Sequence, residues 1–138
     1  GSGGGEEIDP NQGTILPLSE GRWEFVIDEG DFHQVVTCDI GSESNAIDFI
    51  TYYITNITCD GVEGYAPGAY PNNVTVTTIQ GVNAIDVNMA FDLGHTQGTH
   101  HSYGFDGTHN GVTAAGVAAL TCQPDNETKY YNFTARKL

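Results

Sequence analysis

The sequence predicts an all-β chain: a single β-sandwich or jelly-roll-like domain of about seven to eight strands with an extended N-terminal segment. Three observations predict it. Apolar and polar residues alternate with period two over much of the chain, as at Trp23, Phe25 and Ile27. The alternating stretches are rich in Val, Ile, Thr, Tyr and Phe, which fit a pleated surface. Breaks rich in Gly, Pro, Asn and Asp separate them at short intervals. A length of 138 residues suits one domain, and a chain of that size buries roughly two-thirds of its unfolded surface.

Residues 1–21 form a separate zone, a flexible extension ahead of the β-domain at 22–138. Gly1 to Gly5 are flexible by composition, and Pro10 to Gly13 read as a turn. Thr14, Ile15, Leu16, Pro17 and Leu18 make a short apolar segment on that tether. Pro17 restricts it to an edge or added strand, so it is a candidate donor strand for a neighbouring subunit.

From Arg22 to Ile27 a strand is expected, with a turn at Asp28 to Asp31. Phe32 to Ile40 follows, with Phe32, Val36, Cys38 and Ile40 on one side, then a turn at Gly41 to Asn45. Ala46 to Cys59 reads as a long central strand. Asp60 to Asn72 holds three glycines and two prolines and reads as a loop. Asn73–Gln80 and Val82–Phe91 form a hairpin about Gly81, with Ile85, Val87, Met89 and Phe91 inward. Leu93 to Asn110, full of Gly, His and Thr, shows no clear period and reads as a long functional loop. The alanine-rich stretch Gly111 to Cys122 fits a tightly packed buried strand better than a short helix, because of its valines and glycines. Thr128 to Arg136 closes the chain as a last strand.

Charge excludes some partners. The net charge is −14, and the basic residues are only Arg22, Lys129, Arg136 and Lys137. Such a surface repels nucleic acid and anionic membranes. No stretch approaches the length of a membrane span, so membrane insertion is not expected, and with no signal peptide visible a secreted chain would be read here in its mature form.

Four Asn-x-Thr sequons, at Asn56, Asn73, Asn126 and Asn132, exceed the ~1.5 that chance placement gives, and point to N-linked glycans on an extracellular protein. Alternation turns Asn73 and Asn132 outward, and Asn126 lies in a turn. Asn56 shares a face with Ile50, Tyr52 and Ile54. Three cysteines, Cys38, Cys59 and Cys122, suggest one internal disulfide and one thiol that pairs between chains or stays free. Cys38 with Cys59 is the favoured bridge; Cys59 with Cys122 is the close alternative.

No motif assembles a nucleophile, an oxyanion hole or a phosphate cradle, so no enzyme is expected and no cofactor is required. Two cation sites come into consideration. His95, His100, His101 and His109 gather imidazoles suited to copper or zinc, without a standard spacing. Asp28 and Asp31, with other carboxylates in turns, offer oxygens suited to calcium. The function expected is a structural subunit of an extracellular glycosylated filament, sheath or surface layer. It would self-assemble head to tail, the tethered strand adding to a neighbour and the basic end (Arg136, Lys137) meeting the acidic one. The alternative is a secreted carbohydrate- or metal-binding module, with Tyr65, Tyr70, Tyr103 and Phe105 as stacking residues.

Overall fold

The computed structural model describes residues 15–45, 49–66, 74–92, 100–123 and 127–138. Among them are nine strands and no helix: β1 (Gly21–Glu29), β2 (Phe32–Asn45), β3 (Phe49–Cys59), β4 (Val62–Tyr65), β5 (Val74–Ile79), β6 (Val82–Asp92), β7 (His100–His109), β8 (Thr113–Gln123) and β9 (Glu127–Lys137). All pairings are antiparallel.

The all-β expectation holds, but the sheet is a closed barrel and not a two-sheet sandwich. Eight strands pair in the circuit β1–β2–β3–β5–β6–β7–β8–β9, and β9 returns to β1, with Phe133 opposite Ile27 and Lys137 opposite Trp23. The short β4 is the extra strand, bridging the end of β3 to the end of β6. A sandwich and an up-and-down barrel share the same local alternation. Only the β1–β9 pairing, more than a hundred residues apart in sequence, separates them.

Several boundaries also differ. The stretch 100–109, expected within a loop, is strand β7: Tyr103 and Phe105 point inward while Gly, Asp and Thr mask the period. The turn expected at 41–45 is a continuation of β2, and the expected loop at 60–72 contains β4. The alanine-rich stretch is strand β8, as its valines and glycines indicated.

Eight strands leave an interior that side chains fill. Trp23, Phe25 and Ile27 of β1, Val36 and Cys38 of β2, Val87, Met89 and Phe91 of β6, Phe105 of β7 and Phe133 of β9 are all buried there. The Phe105 ring centroid lies 4.8 Å from that of Phe25 and 5.0 Å from that of Phe133. Strand β8 makes room for them: Ala118 stands opposite Phe105, and Gly116 opposite Phe133. The alanines and glycine therefore face large rings across each ladder. Gly116 is also opposite Gly107, where the two backbones approach so closely that a Cβ at Gly107 would lie 2.0 Å from the Ala115 carbonyl oxygen.

One end of the barrel is covered by the chain's own N-terminal segment. Residues 15–20 cross it as an irregular strap. The Leu18 side chain is buried, its amide donates to the Tyr52 hydroxyl at 2.9 Å, and the Ser19 amide donates to the Gly111 carbonyl at 2.8 Å. The Trp23 indole N–H donates to the Ser19 carbonyl at 2.7 Å, and Glu20 accepts from the backbone and hydroxyl of Ser42. The apolar segment read as a donor strand thus has its last leucine, Leu18, inside its own domain. Thr14 lies outside the described residues; Leu16 is exposed.

Candidate functional site

The other end of the barrel holds a cavity. There β1 ends, β2 and β7 begin, β8 ends and β9 begins. Period-two alternation carries the inward face of each strand to this mouth. It delivers Phe32 and Gln34 from β2, His101 and Tyr103 from β7, Leu120 and Cys122 from β8, and Lys129 and Tyr131 from β9. These residues, with Thr121 and Glu127, line a cavity of about 280 Å³.

Its chemistry is mixed in a specific way. The rings of Phe32 and Tyr131 stack at 4.4 Å and 14°, giving one aromatic wall. The Tyr103 hydroxyl donates to the Gln34 side-chain oxygen at 2.6 Å, and burial raises its pKa, so it stays a neutral phenol. The Cys122 sulfur lies 3.4 Å from Nε2 of His101. Glu127 and Lys129 place one charge of each sign at the opening. At the end of β6 the exposed Tyr65 of β4 donates a hydrogen bond to Asp92 at 3.3 Å.

A larger depression of about 700 Å³ opens among β1, β7, β8 and β9 around Thr113, Thr134, Glu24 and Arg136. The two charged groups there are engaged with each other, Arg136 Nε donating to Glu24 at 3.0 Å. The smaller mouth cavity gathers more varied chemistry: aromatic rings, a thiol, an imidazole and charges of both signs.

Two of the histidines expected to bind a metal, His101 and His109, are far apart. His101 and His109 occupy opposite ends of β7, eight residues and so roughly 27 Å apart. His109 is buried at the strapped end; its Nδ1 accepts the Gly111 amide at 3.0 Å, its Nε2 has no partner, and burial lowers its pKa. His100 lies at the start of β7, and His95 falls outside the described residues. Asp28 pairs across the hairpin with His33 at 3.5 Å, and Asp31 sits in the turn beyond. Among the described residues no three His, Cys, Asp or Glu side chains converge as a metal site would require.

The cysteines also depart from expectation, since all three are free thiols. Cys38 and Cys59 both face the interior, but the β2–β3 register puts Val36 opposite Cys59, and the ladder then slips between Thr37 and Asp39. Burial pushes the Cys38 thiol up to about 12 and the Cys59 thiol up to about 11. Cys59 and Cys122 lie on strands that are not neighbours.

Of the sequons, Asn73 and Asn126 lie outside the described residues. Asn132 is exposed on β9. Asn56 is exposed as well, against the simple alternation that put it with Ile54. It takes a positive φ of 51° in the β3 irregularity, so Ile54 and Ile57 both face in while Asn56 faces out. Its amide donates to Asp39 at 2.7 Å and its carbonyl accepts from Arg22 at 2.8 Å. The two basic residues expected at an assembly contact are engaged within the chain: Arg136 donates to Glu24, and Lys137 to the Leu138 carbonyl at 2.8 Å.

One acidic pair escaped the sequence reading. Asp86 and Asp106 stand directly opposite on β6 and β7. Desolvation, reinforced by the hydrogen bond and charge of Asp106, pushes Asp86 up to about 6. A carboxyl group whose folded pKa is raised binds its proton more tightly than the unfolded chain does. The pair therefore adds stability as pH falls from about 6 toward 4, and loses it as pH rises through that window. Asp106→Asn is expected to stabilise the fold at pH 7 by about 0.2–1 kcal/mol. Urea denaturation at pH 7 and pH 4.5 checks this; a gain of equal size at both pH values contradicts the pairing.

No family model matches this chain, and no curated protein or solved structure matches it significantly.

Proposed function

We propose that the chain is an extracellular binding module that holds a small ring-bearing organic molecule in the open mouth of its barrel. The observation that carries this is the mouth cavity, where a stacked aromatic wall (Phe32, Tyr131) stands with Tyr103, Gln34, His101 and Lys129 around about 280 Å³. That volume lies at the small end of ligand sites, so it suits one ring with a few oxygen substituents. The aromatic wall takes a ring face, and the donors and acceptors fix its polar edge. The interior below is filled by side chains, which keeps such a ligand at the mouth. Exposed sequons at Asn56 and Asn132 support the extracellular setting. The reading requires no metal.

Saturation-transfer NMR on the intact chain, with galactose, N-acetylglucosamine, benzoate and cyclohex-2-enone as probes, tests it. At least one probe is expected to bind, and Tyr131→Ala to weaken it about tenfold, equivalent to ~1.4 kcal/mol. Absence of transfer from every probe at millimolar concentration would sink the idea, as would binding that Tyr131→Ala leaves unchanged.

The reading as a structural subunit keeps one supporting observation. Val117 and Tyr130, 44% and 69% exposed, stand on the adjacent strands β8 and β9, where Ala119 is paired with Tyr130. That outer face suits side-by-side packing of copies. Strand addition fits less well, because the closed circuit pairs its first strand with its last and leaves no open edge there to receive a donor.

A further inference from the structure

We infer that the mouth cavity is a covalent capture site, in which Cys122 adds to a small α,β-unsaturated carbonyl compound with His101 carrying the proton. The inference rests on the binding reading above and names the ligand class within it. Geometry supplies the pair: the Cys122 sulfur and His101 Nε2 are 3.4 Å apart, and both line the cavity. The β7–β8 ladder fixes them, since His101 and Cys122 are directly opposite residues. Cys122 is half-buried, whereas Cys38 and Cys59 are buried within the barrel wall. The thiol is thus the one among the three that opens onto a cavity able to hold a planar molecule, against the Phe32–Tyr131 wall.

The step balances without an added reagent. The Cys122 S–H proton passes to Nε2 of His101. The thiolate forms a bond to the β-carbon, and the C=C electron pair moves to give an enolate. The imidazolium then returns its proton to the α-carbon. The net change is addition of S–H across C=C, with no leaving group and no change in the count of electrons. The 3.4 Å contact fits both the thiol–imidazole and the thiolate–imidazolium forms of this pair. Lys129, a donor lining the same cavity, can hold the carbonyl oxygen as it gains charge.

The test uses cyclohex-2-enone on the intact native chain, followed by intact mass and peptide mapping. A single adduct at Cys122 is expected, formed about tenfold or more faster than the adduct of free glutathione under the same conditions, while Cys38 and Cys59 stay unmodified. His101→Gln is expected to slow the addition at pH 7 by about tenfold or more, with the difference from the wild type narrowing at rising pH as hydroxide replaces the imidazole as base. Addition no faster than to glutathione overturns the proposal. So does modification spread equally over the three cysteines, or a His101→Gln rate equal to that of the wild type at pH 7. Saturation transfer from cyclohex-2-enone to Cys122→Ser separates the two readings. Binding that persists there, beside an unreactive wild type, overturns covalent capture alone, and its absence removes the pocket as well.

Discussion

Phe105→Ala is expected to destabilise the fold by about 3–5 kcal/mol. The Phe105 ring is fully buried and lies at the middle of the aromatic group, near Phe25, Phe133 and Tyr103, with centroids 4.8, 5.0 and 6.3 Å away. Two terms add. The ring loses its transfer free energy, and the space it leaves cannot close. The facing strand is the reason: Ala118 and Gly116 have no side chain long enough to move into the gap, and the β7–β8 backbones already touch at Gly107 and Gly116. The edge-on contact with Phe133 contributes a further ~0.5–1.5 kcal/mol within that total. Equilibrium denaturation measures it. Tyr130→Ala on the outer face serves as the control, with an expected change within about 0.5 kcal/mol. A Phe105→Ala loss below 1 kcal/mol would mean that the barrel interior is not packed as described.

The same aromatic group shows which features the residues reveal and which they conceal. Trp23, Phe25 and Ile27 announce a strand because each neighbour on the other face is polar or half-buried. Ile85, Val87, Met89 and Phe91 do the same for β6. Strand β7 conceals itself, because its inward face carries only two large apolar side chains, Tyr103 and Phe105, between His101 and His109, and Gly107 there is small for the sake of Gly116. A glycine demanded by a neighbouring strand looks, in sequence, like a loop glycine. The barrel closure is hidden for a different reason. It depends on β9 meeting β1, and nothing within a short window of either strand records that meeting.

The mouth cavity was only partly legible. The sequence marks Tyr103 as a stacking residue, and His101 and Cys122 as residues of chemical interest, but for different purposes. It gives no reason to place Phe32, Gln34, Lys129 or Tyr131 at a site. The signal that would have found them is simple: inward positions at the strand ends of a closed barrel must converge on a mouth. That signal exists only once the ends of β2, β7, β8 and β9 are known to lie together. Asn56 shows the converse, since a single residue of positive φ reverses the face that alternation assigns to it.

The N-terminal strap decides between a domain that completes itself and one that waits for a neighbour. Leu18→Ala is expected to destabilise the isolated chain by about 2–5 kcal/mol, because the leucine is buried at 3% exposure against Tyr52 and the barrel end. The hydrogen bonds around it depend on the same placement. The Leu18 amide reaches the Tyr52 hydroxyl, the Ser19 amide reaches Gly111, and the Ser19 carbonyl satisfies the Trp23 indole. Loosening the strap would expose Trp23 to solvent, so the substitution is also expected to shift the Trp23 fluorescence to longer wavelength before global unfolding. A donor strand behaves otherwise. If Leu18 served a neighbouring copy, Leu18→Ala would leave the dilute monomer as stable as the wild type and weaken only a concentration-dependent assembly. Thermal unfolding of both chains across a wide range of concentrations therefore separates the two arrangements. Loss at every dilution places the strap in its own barrel, and loss that appears only with rising concentration places it in a partner.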